Sequence, residues 1–231
     1  MTGTAPPRGY FIAGTDTGVG KTRIAAALCA AFAAAGFKVA AMKPVASGCE
    51  RTPAGLRNED ALELLAAMNV RASYADVNPY AFEPAIAPHV AATDAGMVIE
   101  YAVLDRAFDR LRLQSDVLVV EGAGGWLTPL DQGRSFADLA ARWHLQVILV
   151  VGLRLGCINH ALLTAESIER RGLTLKAWVG NRLDPAFSRV EATIETLRER
   201  LAAPCLGIVP HTPGQEPAAR HARPPLDISL L

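Results

Sequence analysis

The chain has no excess of charge in either sense: 23 lysines and arginines stand against 23 aspartates and glutamates, for a formal net charge of zero. A nucleic-acid groove or an anionic membrane surface would call for a basic surplus, so neither is expected as a partner and small-molecule chemistry is the default. Metal-binding cysteine pairs are missing too. Cys29, Cys49, Cys157 and Cys205 lie far apart with no C-x-x-C among them. That spacing excludes a zinc ribbon and a disulfide framework, and it reads as reduced thiols in a soluble, cytoplasmic protein. No apolar run reaches the length of a membrane span, and residues 1–8, with two prolines, read as a flexible extension rather than a signal segment. No internal repeat or low-complexity linker divides the 231 residues, a length that fits one α/β domain with a sizeable core. The proline-rich end, 213–231, is expected to run over the surface.

What is present is alternation. Apolar runs at Tyr10–Ala13, Lys38–Met42, Asp116–Val120, Gln146–Val151, Leu175–Val179 and Leu206–Val209 read as buried strands. Helical patterns separate them: Lys21–Ala35 closed by Gly36, Glu59–Met68 capped by Asn58, Ile99–Leu113, Phe136–Trp143 capped by Ser135, Asn159–Arg171 closed by Gly172, and Ala186–Leu201. Strand alternating with helix predicts an α/β domain in which a parallel sheet is flanked by helices on both faces. The stretch Ser73–Pro88, with three prolines, reads as the longest irregular connection, either facing a substrate or serving as a spacer.

All strands of such a sheet end at one edge, so the residues just after them are the candidates for chemistry. After the first run comes Gly14-Thr15-Asp16-Thr17-Gly18-Val19-Gly20-Lys21-Thr22, a phosphate-binding loop. Small residues let the backbone curl its N–H groups toward phosphate oxygens, the following helix adds its positive end, Lys21 supplies a cation and Thr22 a hydroxyl for Mg2+. The first glycine of the usual spacing falls on Thr15, with Gly14 one residue earlier, so the loop is a relative of the common form. It makes the chain a nucleotide user with a P-loop NTPase-like fold.

Glu121 follows Val117–Val120 directly and takes the place of a Mg2+ carboxylate, with small neighbours in Gly122, Ala123 and Gly124 that leave room for a ligand. Asp60 stays open between a second metal carboxylate and an acid that complements a helix start, since Asn58 and Glu59 adjoin it. Lys43 precedes Pro44, which favours extended backbone before it. It is either a solvated lysine or a cation that, with Lys21 and Mg2+, spreads the charge of a transferring phosphoryl group. Ser47 alone reads as a turn serine. His89, His144 and His160 read as structural or helix-associated, because their spacing makes no metal set.

Six blocks are together more specific than any of these readings: Gly-Thr-Asp-Thr-Gly-Val-Gly-Lys-Thr at 14–22, Lys-Pro-Val-Ala-Ser-Gly at 43–48, Gly-Leu-Arg-Asn-Glu-Asp-Ala at 55–61, Val-Asn-Pro-Tyr at 77–80, Glu-Gly-Ala-Gly-Gly-Trp at 121–126 and Gly-Leu-Arg-Leu-Gly-Cys-Ile-Asn-His at 152–160. In this order, from about Tyr10 to Pro210, the chain resembles the dethiobiotin synthetase family. The resemblance implies an ATP- and Mg2+-dependent ligase that joins CO2 to 7,8-diaminononanoate and closes a ureido ring, by way of a carbamate and a carbamic-phosphoric anhydride, releasing ADP and phosphate.

Carried over by position, the resemblance implies that Thr17, Gly18, Val19, Gly20, Lys21 and Thr22 hold ATP, together with Gly122, Ala123 and Gly124. It implies Thr22, Asp60 and Glu121 as metal ligands, Lys43 and Lys21 as catalytic cations, and Ser47 as a substrate contact. It further implies a homodimer in which Gly156, Cys157 and Asn159, at a helix N-terminus, hold the diamine's carboxylate across the subunit interface, Cys157 serving as a backbone donor. Asn181 matches an adenine-contacting asparagine, Arg182 stands where aspartate is common, and Pro210, His211 and Thr212 match a nucleotide-contacting segment in position and in the proline. Many relatives carry glutamate where this chain has Gly18. A partitioning or switch-type ATPase is the alternative, but such proteins place a lysine where this chain has Asp16. A larger amide-forming ligase would add an amidotransferase domain, and a noncatalytic sensor would leave Lys43 and Ser47 idle.

Overall fold

Runs that are apolar at nearly every position bury both faces, and all six contribute strands to one parallel sheet, the edge strand at Cys205–Val209 being only partly buried. The computed structural model describes residues 8–211 and 224–231. Its elements are β1 (Arg8–Gly14), α1 (Lys21–Ala34), β2 (Val39–Met42), β3 (Val45–Ala46), β4 (Glu50–Thr52), β5 (Gly55–Arg57), α2 (Glu59–Ala67), α3 (Tyr74–Val77), β6 (Tyr80–Ala81), α4 (Pro88–Asp94), α5 (Tyr101–Arg112), β7 (Val117–Glu121), α6 (Phe136–Arg142), β8 (Gln146–Leu153), α7 (Cys157–Arg170), β9 (Leu175–Arg182), α8 (Val190–Arg200), β10 (Cys205–Val209) and a 3-10 turn at Ile228–Leu230.

The main sheet has the order β10-β9-β8-β1-β7-β2, with each neighbouring pair parallel. The chain therefore winds outward from β1 on both sides. The crevice that opens where strand order reverses lies at the carboxyl end of β1, where the phosphate-binding loop begins. Alternate residues of each strand feed two separate cores. Phe11, Ala13, Leu118 and Val120 pack on one face, while Tyr10, Ile12, Val117 and Val119 pack on the other against Ile24, Leu28 and Phe32 of α1. Burying each of these larger side chains contributes about 1.5–3 kcal/mol, which is what clamps the loop's two flanking elements.

Several boundaries differ from the sequence expectation, each for a local reason. Ser73–Pro88 is not irregular throughout: Ser73 accepts a hydrogen bond from the Asp76 N–H to start α3, and β6 pairs in parallel with β3. Helix α7 begins at Cys157, two residues early, because Gly156 adopts a left-handed conformation that turns the chain out of β8. Helix α8 begins late, at Val190, after Arg189 in the left-handed region. The small hairpin of β4 and β5 has no counterpart among the sequence expectations. At the far end, Pro224 is buried and the Asp227 N–H donates to the Leu206 carbonyl at 2.9 Å, so residues 224–231, exposed or half-buried beyond Pro224, run beside β10; residues 1–7 and 212–223, which hold most of the two expected terminal extensions, lie outside the described residues. Among the described residues, no helix is long and apolar enough to cross a membrane.

Candidate active site

From β1 the chain turns through Gly18 and Gly20 into α1. Gly20 needs both its left-handed φ of 88° and its missing side chain, since a Cβ there would lie 2.4 Å from the amide nitrogen of Asn181. That amide donates to the Val19 carbonyl at 2.8 Å, tying the end of β9 to the loop. On the other side the Thr15 N–H donates to Val150 of β8 at 3.0 Å. Lys21, nearly buried at the start of α1, donates from Nζ to the carbonyl oxygens of Gly124 at 2.6 Å and Asp16 at 3.1 Å. Burial and then the charge of Lys43 lower its pKa to about 8.

Lys43 is fixed by its backbone before its side chain is considered. Its N–H donates to Val77 at 2.7 Å, and its carbonyl accepts from Asn78 Nδ2, also at 2.7 Å. The side chain is 4 % exposed, so it is no solvated lysine. Nζ donates to Glu121 Oε1 at 2.6 Å, to Asp60 Oδ2 at 2.9 Å and to the Gly122 carbonyl at 3.3 Å, which uses all three of its hydrogens. Burial alone would lower its pKa, but the carboxylates of Glu121 and then Asp60 reverse this and hold it above the usual lysine range. Burial raises the pKa of Asp60, yet the Lys43 charge wins and leaves it lowered. Glu121 is almost wholly buried at the end of β7, and burial pushes its carboxyl up against the pull of Lys43.

Thr22 donates its hydroxyl to Glu121 Oε1 at 2.9 Å, while Oε2 of Glu121 is buried without a hydrogen-bond partner. An orphaned carboxylate oxygen, a threonine hydroxyl and the half-exposed carboxylate of Asp60 make a set of hard oxygen donors that fits Mg2+, which is commonly held by one or two carboxylates plus nucleotide phosphates. The side chain of Asn58 caps α2 just before Asp60 and also donates to the Ser47 carbonyl at 3.4 Å, tying the two segments together.

One cavity of about 340 Å3 is lined by Thr17, Gly18, Gly20, Lys21, Thr22, Lys43, Ser47, Asp60, Glu121, Ala123 and Gly124. Val19 and Gly122 stand just behind it and meet the site through their carbonyls, which accept from Asn181 and Lys43. Asn181 contacts the loop rather than the cavity, and Arg182 turns away to pair with Glu191. Pro210 and His211 follow β10 without lining the cavity, and Thr212 lies outside the described residues. Gly156, Cys157 and Asn159 sit at the start of α7 and do not line this cavity either. The Cys157 N–H donates to the Arg154 carbonyl at 3.1 Å, so that N–H already has a partner in its own chain, where a backbone donor to substrate was expected. A larger groove, of about 490 Å3, lies between α5 and α6; there Arg142 is paired with Asp105 and Trp143 stacks on Phe108, away from the carboxyl edge of the sheet.

Two residues of the site are absent from the sequence expectations. Asn78 orients Lys43, and its Val-Asn-Pro-Tyr setting is the only signal the sequence carries for it. Arg154, after β8, pairs with Asp16 of the loop. Asp16 thus has a partner in its own chain at the position where a switch-type ATPase needs a lysine.

A family model described as an AAA domain matches residues 8–219. The ATP-dependent dethiobiotin synthetase BioD of Pseudomonas paraeruginosa is 55% identical over 211 residues, which covers 91% of this chain and 92% of that protein. The chain belongs to the ATP-dependent dethiobiotin synthetase family. A second member, from Xanthomonas oryzae pv. oryzae, is 50% identical over 214 residues, 93% of this chain and 96% of its own. As a member of the dethiobiotin synthetases the protein is an enzyme that uses ATP. Among solved structures, the MinD cell division protein of Aquifex aeolicus matches with a TM-score of 0.57 and 19% identity, covering 94% of this chain and 87% of that one, which shows the fold alone.

Proposed function

We propose that this protein joins CO2 to the two amines of 7,8-diaminononanoate at the expense of ATP, forming dethiobiotin. The observation that carries the reading is the convergence of Lys21, Thr22, Lys43, Asp60 and Glu121 on a single cavity with Ser47 in its wall. Loop N–H groups and the N-terminal end of α1 hold the triphosphate, and Lys21 exchanges its two carbonyl partners for phosphate oxygens. Thr22, Asp60 and Glu121 hold Mg2+, which when bound neutralises charge on the terminal phosphates.

One amine nitrogen of the diamine attacks CO2 and loses a proton, giving a carbamate whose negative charge Lys43 meets. A carbamate oxygen then attacks the γ-phosphorus as ADP leaves. Finally the second amine attacks the carbonyl carbon and expels phosphate, closing the ring. The protein's part is alignment and fixed charge, and one well-placed donor of this kind is worth about 10²–10³ in rate.

The same reading includes a homodimer in which the diamine's carboxylate lies at the α7 N-terminus of the other subunit. The exposed Leu155 at that turn, and exposed Leu163 further along α7, support an interface there. It also includes action in the cytoplasm, in keeping with four cysteines that form no disulfide. The test is ADP release by purified protein with Mg2+-ATP and bicarbonate, with and without the diamine. Diamine-dependent release and formation of dethiobiotin are expected; release indifferent to the diamine would overturn the assignment.

A further inference from the structure

The groups assigned to the metal crowd around one atom. Oε1 of Glu121 accepts from Lys43 Nζ at 2.6 Å and from the Thr22 hydroxyl at 2.9 Å, and the same ammonium donates to Asp60 at 2.9 Å. Both carboxylates of the metal set are thus already bridged by a cation of the protein's own. That cation cannot drift off at no cost, because its stem is buried and its backbone is pinned at both N–H and carbonyl by Val77 and Asn78. Two carboxylates and one ammonium leave the cluster with a single negative charge. A bare divalent ion added to it would meet Lys43 at contact distance and Lys21 in the same cavity wall.

From this geometry we propose that Lys43 is an internal counter-cation that excludes divalent metal from Asp60 and Glu121 until a triphosphate enters, so that metal and nucleotide bind together. The triphosphate supplies what the metal alone lacks, an anionic destination for the displaced ammonium. Once turned from the carboxylates, Lys43 faces the terminal phosphate and the substrate wall at Ser47. The substrate-side cation is therefore released only once nucleotide and metal are in place. The inference rests on the proposed assignment of Asp60 and Glu121 to the metal.

Mn2+, read by electron paramagnetic resonance, is the probe. Lys43→Met keeps the unbranched stem of the side chain, one atom shorter, and removes its charge. Without nucleotide, Lys43→Met is expected to bind Mn2+ about tenfold or more tightly than the wild type, as loss of a like charge at contact distance requires. Its unfolding temperature should rise on adding Mn2+, while that of the wild type stays put. Addition of a nonhydrolysable ATP analogue should bring wild-type Mn2+ binding up and narrow the gap. Equal or weaker Mn2+ binding by Lys43→Met in the absence of nucleotide overturns the proposal.

If the variant does not fold, the wild type decides. Its Lys43 side-chain nitrogen resonance should be unmoved by Mg2+ alone and shift with Mg2+ plus the analogue; a shift with Mg2+ alone overturns the proposal. None of these readouts uses the diamine. Failure here leaves the proposed reaction standing, and absence of diamine-dependent turnover would not touch the metal result.

Discussion

Asn181 donates its side-chain amide to the main-chain carbonyl of Val19 at 2.8 Å, across 162 residues of sequence. Both residues are buried, and the bond holds the phosphate-binding loop against the end of β9. Asn181→Ala would leave the Val19 carbonyl buried and unpaired, at a cost of about 1–3 kcal/mol. Denaturant unfolding should register that loss, and the KM for ATP should rise with it. An unchanged KM would mean that the loop holds its shape without this tie.

Removing the Lys43 ammonium is expected to affect chemistry and nucleotide binding unequally. Lys43→Ala should largely abolish dethiobiotin formation while ATP binding remains measurable by calorimetry, since the loop and Lys21 are intact. Normal turnover by this variant would remove Lys43 from the reaction.

Glu121→Gln keeps the shape of the side chain, still accepts from Lys43 and takes away a charge. Breaking a buried ion pair outright costs about 3–5 kcal/mol, and a glutamine that preserves the hydrogen bond should cost less. Mg2+-dependent activity is expected to fall by about a hundredfold. A fall in thermal stability with activity intact would make Glu121 a structural residue.

Lys21 supplies a pH signature. Its pKa in the folded protein, about 8, lies below the 10.5 of an ordinary lysine, so between these values the unfolded chain binds a proton that the folded chain has released. Stability contributed by this group therefore rises with pH across that window and is absent below about pH 8. ATP binding needs the charged form, so the KM for ATP should climb above pH 8 and binding there should take up a proton. Calorimetry in buffers of different ionisation heat measures the uptake; a KM for ATP that is flat to pH 9.5 would contradict it.

Ser135 offers a control outside the lining of the cavity. Its N–H donates to Asp138 Oδ2 at 2.7 Å while its side chain accepts from the Asp138 N–H, the two halves of the capping box of α6. Ser135→Ala should lower stability by about 1 kcal/mol with kinetic constants unchanged. A change in the KM for ATP would show that α6 communicates with the site.

Part of the site is legible in the amino-acid sequence because the physics is local. A glycine-rich loop between an apolar run and a helical pattern cradles phosphate wherever it occurs, and Glu121 follows from being the first polar residue after a buried strand. Asn58 and Ser135 are readable as caps for the same reason. The pairing of β3 with β6 is not readable, since two-residue strands carry no periodicity. Asn78 escapes because nothing in its own neighbourhood says that its amide is needed 35 residues away at the Lys43 carbonyl. The turn at Gly156 hides in the same way, a left-handed residue deciding where α7 begins.

The amino-acid order alone determined the strand–helix alternation, the six strands of the sheet and the glycine-rich loop after the first of them, because each depends on neighbours within a turn or a pleat. Whether Lys43 was a solvated lysine or a buried cation, and whether Asp60 served a helix start or a cation, was decided only by folding. Both outcomes turn on an ammonium meeting carboxylates 17 and 78 residues away, and charges so distant along the chain interact only once packing has brought them within hydrogen-bonding reach and shut out the water that would screen them.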